Sequence, residues 1–181
     1  MIIKNKIACV FDVEVFPNCF TCAIKNTETK DIVVYEISER KNDAWDIINL
    51  FTSLENIYCG YNNRHYDNPI INFIIDNKEA VLSLSWREIC SDIYKLSKEI
   101  INSVDNNFSS WSKWKYLNFF DSLDLLTMLF SQKLRVGLKE MEVTMKFRNV
   151  QEYDGDFEGW LPVSKINNVI AYDIMRHIIV I

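Results

Sequence analysis

Apolar and polar positions alternate with period two through the opening of the chain. Ile7, Cys9, Phe11, Val13 and Val15 fall on one side of the alternation, while Ala8 and Val10 begin the other before it turns acidic at Asp12 and Glu14. This pattern predicts a buried, central strand over residues 6–15 whose far end carries two carboxylates on one face. Two more strands are predicted at 19–25 and 31–37, joined by the short polar turns "FPN" and "KNTETK". The period then changes. In "RKNDAWDIINLFTSL", Ala44, Ile47, Ile48 and Phe51 recur at helical spacing, with Asn42 or Asp43 as the N-cap. "NIYCGYNN" reads as a short buried strand at 56–61, and "NPIINFIIDNKEAVLSL" as a helix entered through Pro69, where a missing N–H costs least. A further helix over about 86–103 sets Ile89, Ile93, Leu96 and Ile100 on one face. "WKYLNFFDSLDLLTMLF" predicts a strand leading into a helix. "GLKEMEVTMKF" predicts a helix with Leu138, Met141 and Met145 facing inward, and "VSKINNVIAYDIMRH" is the last helical segment. A three-stranded meander, a helix and a returning strand predict an α/β or α+β domain, and no internal repeat is visible.

Composition narrows the class. With 181 residues, 49% apolar residues, 4 Gly and 3 Pro, the chain fits one domain with a sizeable core and no low-complexity linker. The N-terminal "MIIKNKIACVF" holds no run long enough to span a bilayer, so a soluble intracellular protein is expected. A formal charge of −5 argues against a protein that coats duplex DNA through its overall field. It leaves room for a nuclease, whose acidic site takes its positive charge from metal ions.

Five cysteines are an odd number without secretory context, so reduced thiols are expected. Cys19 and Cys22 form C-x-x-C, but no second pair and no close His pair completes a tetrahedral zinc site, so the pair reads as structural. The acid pair Asp12-x-Glu14 is short enough to arise by chance, and Asp156-x-Glu158 in "YDGDFEGW" is a second copy that reads as a solvated turn. Context separates the two. Asp12 and Glu14 sit in a buried strand, where neighbouring anions call for something cationic.

A second acidic constellation follows the 56–61 strand. "GYNNRHYDNPIIN" places Asn62, Tyr66 and Asp67 at a strand end that opens a helix, the edge where ligands gather in α/β sheets. Asp67 by itself also reads as a helix cap or turn residue.

Together these segments carry a resemblance. "FDVEVFPN" followed by "GYNNRHYDNPII", that is Asp-x-Glu on a strand and then Asn-x-x-x-Tyr-Asp after a strand, resembles the first two motifs of the 3′–5′ exonuclease domain of phage-type family B DNA polymerases. "SLDLLTMLF" and "RVGLKEMEVTMKF" are similar to the segment between the second and third motifs, so the likeness runs from about residue 6 to 173. The resemblance implies an α/β, ribonuclease H-like fold: a mixed sheet with its first three strands antiparallel, flanked by helices. It implies a single exonuclease-like domain over 1–181 with no polymerase domain, in the cytoplasm of a bacterial or phage-infected host cell. It also implies two divalent cations, magnesium or manganese, held by Asp12, Glu14 and Asp67, with Asp12 between both ions and Tyr172 orienting the attacking water. The implied partners are the 3′ end of single-stranded DNA, near Asn62 and Tyr66, and a separate polymerase or replication protein; no membrane is implied.

The third motif of that family is Tyr-x-x-x-Asp, and here the position four residues after Tyr172 is Arg176. Asp173 is three residues too early, displaced by almost a turn, and His177 fits neither this motif nor its histidine variant. Arg176 paired with Asp12 or Glu14 would neutralise the pocket without metal. The alternative is therefore a catalytically inactive module that binds nucleic acid or a replication protein. "SSWSKWKYLNFF" mixes Trp111, Trp114 and Tyr116 with lysines, as single-strand binders do, and Trp111 is the candidate substrate contact; the same aromatics also suit packing against the sheet. Asp124 in "SLDLL" reads as structural. Arg135 and Lys139 read as a solvated helix face.

Overall fold

The long alternating segment forms β2 (Lys6–Phe16), with the two-residue β1 (Ile2–Ile3) paired to its start. The computed structural model describes residues 2–3, 5–106, 119–129, 137–144, 146 and 155–174. β2 continues into β3 (Cys19–Asn26) and β4 (Ile32–Ile37) as an antiparallel meander, with Asp12 opposite Ala23, Glu14 opposite Thr21, and Thr21 in turn opposite Glu36. After α1 (Ala44–Thr52) the chain returns as β5 (Asn56–Gly60), parallel to β2 on its other side. The helices α2 (Asp67–Asp76), α3 (Lys78–Ser83) and α4 (Trp86–Asn106) follow, then β6 (Ser122–Asp124), parallel to β5. α5 (Leu125–Leu129), α6 (Leu138–Thr144) and α7 (Val163–Asp173) complete the described elements. The sheet order among the described residues is β4-β3-β2-β5-β6. An antiparallel meander β2–β3–β4, parallel β5 and β6, and flanking helices make this an α/β protein with a ribonuclease H-like arrangement, as expected.

The two sheet faces differ. Cys9, Phe11, Val13 and Val15 of β2 join Phe20, Cys22, Phe51, Tyr58 and Phe120 and the apolar faces of α1, α2 and α4 in the main core. Its centre is aromatic: Phe51 stacks on Tyr58 with centroids 4.2 Å apart, and Phe11 meets Phe51 edge-on at 5.3 Å. Each such fully buried ring contributes about 1.5–3 kcal/mol through burial alone. On the opposite face, Val10 and Ala23 form one small cluster, and Phe16 and Cys19 form another with Leu161, Ile166 and Val169 of the α7 segment.

Two expectations change in detail, and the structural reading of Cys19 and Cys22 holds. The helix expected across "NPIINFIIDNKEAVLSL" breaks at Asn77, whose φ of −101° and ψ of 22° separate α2 from α3, while its side-chain amide donates to the Phe73 carbonyl at 2.9 Å. At α1 the Asp43 carboxylate is used elsewhere, accepting from the Glu36 amide at 2.9 Å and pairing with Lys41; Asn42 accepts from the Ala44 amide. Cys19 and Cys22 lie in different clusters on opposite faces of β3, as a separation of three residues dictates. The C-x-x-C pair is therefore no chelate. Among the described residues no helix is long and apolar enough to cross a membrane. Trp111, Trp114, Tyr116, Arg135, Met145, Arg176 and His177 lie outside the described residues.

Candidate functional site

β5 accompanies β2 only as far as the Val10–Cys59 pair, and the chain turns away after Gly60. From Phe11 onward β2 thus has no strand beside it on that edge among the described residues, and its amides need other acceptors. Asp67, the first residue of α2, supplies one: its Oδ1 accepts from the Val13 amide at 3.3 Å. That contact joins the second acidic segment to the middle of Asp12-x-Glu14 across 54 residues. Asp12 is half-buried, whereas Glu14 and Asp67 are buried.

The turn that delivers Asp67 is bonded throughout. The buried Asp124 carboxylate accepts from the amides of Asn62 (3.0 Å), Arg64 (3.4 Å) and Leu126 (3.0 Å), which makes it the structural residue expected. Asn62 adopts φ 60°, a left-handed conformation that asparagine tolerates better than most residues. Asn63 donates to the Leu123 carbonyl, and Asn68 to Ser122 Oγ at 2.8 Å. Gly60 is required here: a Cβ would lie 2.8 Å from Asn63 Cβ and 3.2 Å from the Phe11 carbonyl oxygen. Tyr66 places its hydroxyl 2.7 Å from Ser97 Oγ on α4. Burial pushes the Tyr66 phenol above its ordinary range, Ser97 opposes this, and the charges of Asp67, Glu14 and Asp12 push it further up.

α7 crosses the acid-bearing face. Its approach is fixed by Asn18, which donates to the Leu161 carbonyl and accepts from the Leu161 amide, both at 2.8 Å. Ile166 and Val169 pack on Phe16 and Cys19, and Ile174 packs on Val10 and Ala23, so the helix runs opposite to β2 along its length. Arg40 ties the helix sideways: it clasps the buried Glu36 carboxylate at 3.0 and 2.6 Å and donates to Asn167 Oδ1 at 2.8 Å. At 100° per residue, Tyr172 lies on the opposite flank of α7 from Asn167. Tyr172 is half-buried on that flank. Burial alone would push the Glu36 carboxyl up, but hydrogen bonds from Arg40 and Ser38 and the charges of Arg40 and Lys41 bring it below its ordinary value. Sequence patterning did not single out Glu36, Arg40 or Asn18. The available signal was Glu36 at alternate spacing with Val34 on a buried face, a charge in need of a partner.

Of the residues expected at the site, Asp67 is joined to the strand that carries Asp12 and Glu14, Tyr66 precedes Asp67 at the start of α2, Tyr172 lies on the flank of α7 away from Asn167, and Asn62 lies in the supporting turn. Trp111 falls outside the described residues, as does Arg176. The thiols offer no nucleophile: burial pushes Cys19 up to about 12 with help from the Glu36 charge and opposition from Arg40, and pushes Cys59 up to about 11, where Asp124 adds to it. Asp156-x-Glu158 is exposed, with Asp156 accepting from the Glu158 amide at 2.7 Å, the solvated turn expected.

Among the described residues no group of three or more His, Cys, Asp or Glu side chains is arranged as a ready metal cage. Asp67 and the strand that carries Asp12 and Glu14 offer carboxylate oxygens, the type that magnesium and manganese prefer. Magnesium is usually held by one or two carboxylates plus substrate phosphates rather than by an all-protein cage, so this donor set fits it. In comparison with known proteins, the chain matches no family model, no curated protein and no solved structure.

Proposed function

We propose that this protein is a nuclease of the 3′–5′ exonuclease type, removing nucleotides from the 3′ end of single-stranded DNA with two divalent cations, magnesium or manganese. The observation that carries the reading is the hydrogen bond from the Val13 amide to Asp67, which draws Asp67 to the strand that bears Asp12 and Glu14. Asp12, Glu14 and Asp67 would hold the ions, with Asp12 serving both. When bound, such ions stabilise the charge that builds on the entering and leaving oxygens of a phosphodiester and lower the pKa of water. The chain's own groups do the rest. Tyr172, on the flank of α7 away from Asn167, orients the water. Asn62 and Tyr66 border the path of the strand, the Tyr66 ring being held in place by Ser97.

A second reading rests on Arg176, a cation four residues after Tyr172 where the resembling family carries an acid. In that reading the domain is catalytically inactive and binds nucleic acid or a replication protein by occupancy. One titration separates the two. Manganese is added to the protein with end-labelled single-stranded DNA, and thermal stability and mononucleotide release are followed together. The nuclease reading expects manganese to raise the melting temperature and to support release, with Asp12→Ala abolishing both. DNA binding that needs no metal and yields no mononucleotide would sink it in favour of the second reading.

A further inference from the structure

β4 is one edge of the sheet, with β3 on one side and no strand on the other among the described residues. Hydrogen bonds near its end show which of its groups point outward: the Glu36 amide donates to the Asp43 carboxylate at 2.9 Å, and the Glu36 carbonyl accepts from the Asp43 amide at 2.9 Å. Backbone direction alternates along a strand, so the amides and carbonyls of Val34 and Ile32 point outward as well. These have no partner among the described residues. Natural edges are blunted by lysine, proline or a bulge, and Ile32–Ile37, "IVVYEI", contains no lysine and no proline. Its apolar side chains stand open instead, Val33 at 48% and Ile32 at 36% exposure. The open stretch is bounded at both ends. Asn42 and Asp43 occupy the edge from Glu36 onward, and at Lys30, with φ 68°, the chain turns back toward β3, its amide donating to the Asn26 carbonyl at 2.9 Å.

A window of Ile32, Val33 and Val34, with outward groups at both ends and none in the middle, is its own complement. We infer that two copies of this chain pair through β4, antiparallel about a two-fold axis at Val33. In that register Ile32 of one copy faces Val34 of the other, and each of the two such pairs exchanges both of its hydrogen bonds. The two Val33 residues face each other in the non-hydrogen-bonded position, with Cα atoms about 4.5 Å apart. A slip one way leaves Val34 unpaired, and a slip the other way sets Ile32 against Glu36, where Asp43 already sits. The charges agree with this register, since the exposed Lys30 of each copy comes to the end of the strand where the other carries Glu36 and Asp43. Because the same patch serves both copies, the contact closes at two rather than growing into a fibre. The paired sheets share one face, and the two β2 strands lie five strand spacings apart, about 24 Å. This pairing is independent of the nuclease reading.

Sedimentation equilibrium of the full chain, from about 10 µM to about 1 mM, measures the association. The wild type should pass from monomer to dimer within that range. Val33→Lys sets two like charges against each other on the axis and should weaken association at least about tenfold. Val33 is exposed, so the fold is spared, and melting temperatures of dilute protein check this. A cross-link reads the register. All five native cysteines are buried, so a cysteine placed at 33 or 32 is the accessible thiol. Under mild oxidation Val33→Cys should give a disulfide-linked dimer that a reductant dissolves. Ile32→Cys should give at least about tenfold less, because its two Cα atoms would lie about 8 Å apart, beyond disulfide reach. A wild type that stays monomeric throughout, Val33→Lys that associates as tightly as the wild type, or Ile32→Cys that cross-links as readily as Val33→Cys would each overturn the pairing.

Discussion

Asp67 carries two duties that substitution can separate. Its carboxylate accepts from the Val13 amide at a strand edge that β5 has left, and it brings a negative charge to Asp12 and Glu14. Asparagine keeps the acceptor and loses the charge; alanine loses both. Asp67→Ala strands a buried donor, which costs about 1–3 kcal/mol. Asp67→Asn should cost under about 1 kcal/mol, as should Asp12→Ala, since Asp12 is half-buried and its removal relieves an anionic cluster. Urea unfolding should therefore rank Asp67→Ala well below the other two, while all three lose manganese-dependent nucleotide release. Equal stability of Asp67→Ala and Asp67→Asn would refute the edge-capping role. The alternation of β2 pointed to Asp12 and Glu14 because a two-residue period is a local signal. Asp67 stayed ambiguous between cap and ligand because its partner is 54 residues away, and in the fold Tyr66, not Asp67, occupies the N-cap position of α2.

At the level of elements, periodicity recovered the meander, β5, α1, α4 and α7 to within a few residues, since each buries one face. It did not reveal how α7 is rotated on the sheet, for that depends on Arg40 bridging Glu36 of β4 to Asn167 of α7. It also joined α2 and α3, because the apolar spacing runs on through Asn77 while the backbone does not. The Arg40 bridge can be tested without disturbing the buried Glu36 pair. Asn167 is exposed, so Asn167→Ala removes the sideways tie and leaves the Arg40–Glu36 clasp in place. The melting temperature should fall by no more than about 2 °C, consistent with a loss of a few tenths of a kcal/mol at an exposed site. Amide exchange over residues 163–173 should nevertheless quicken. If Tyr172 orients water, kcat should fall about tenfold with KM unchanged, and Asn167→Ala should add nothing in a Tyr172→Phe background. Additive losses would show that the tie acts on something other than Tyr172.

Charge is a property of the whole molecule, and here it opposes the polyanion that the nuclease reading proposes. The chain carries a net −5, and among its cations Arg40 is committed to Glu36 and Lys98 to Glu158. A polyanion approaching this protein gains little from the general field, unlike the many proteins whose nucleic-acid affinity comes from counterion release. On the nuclease reading, affinity must then come mainly from divalent ions at the carboxylates and from contacts that release few counterions. Each phosphate neutralised on a single strand contributes about −0.7 to the slope of log K against log salt. Two contacts or fewer predict a slope no steeper than about −1.5 in EDTA, measured with oligothymidylate over a range of potassium chloride. A slope of about −3 or steeper would mean that four or more phosphates are neutralised, and the strand would then follow a basic path away from the carboxylates of β2.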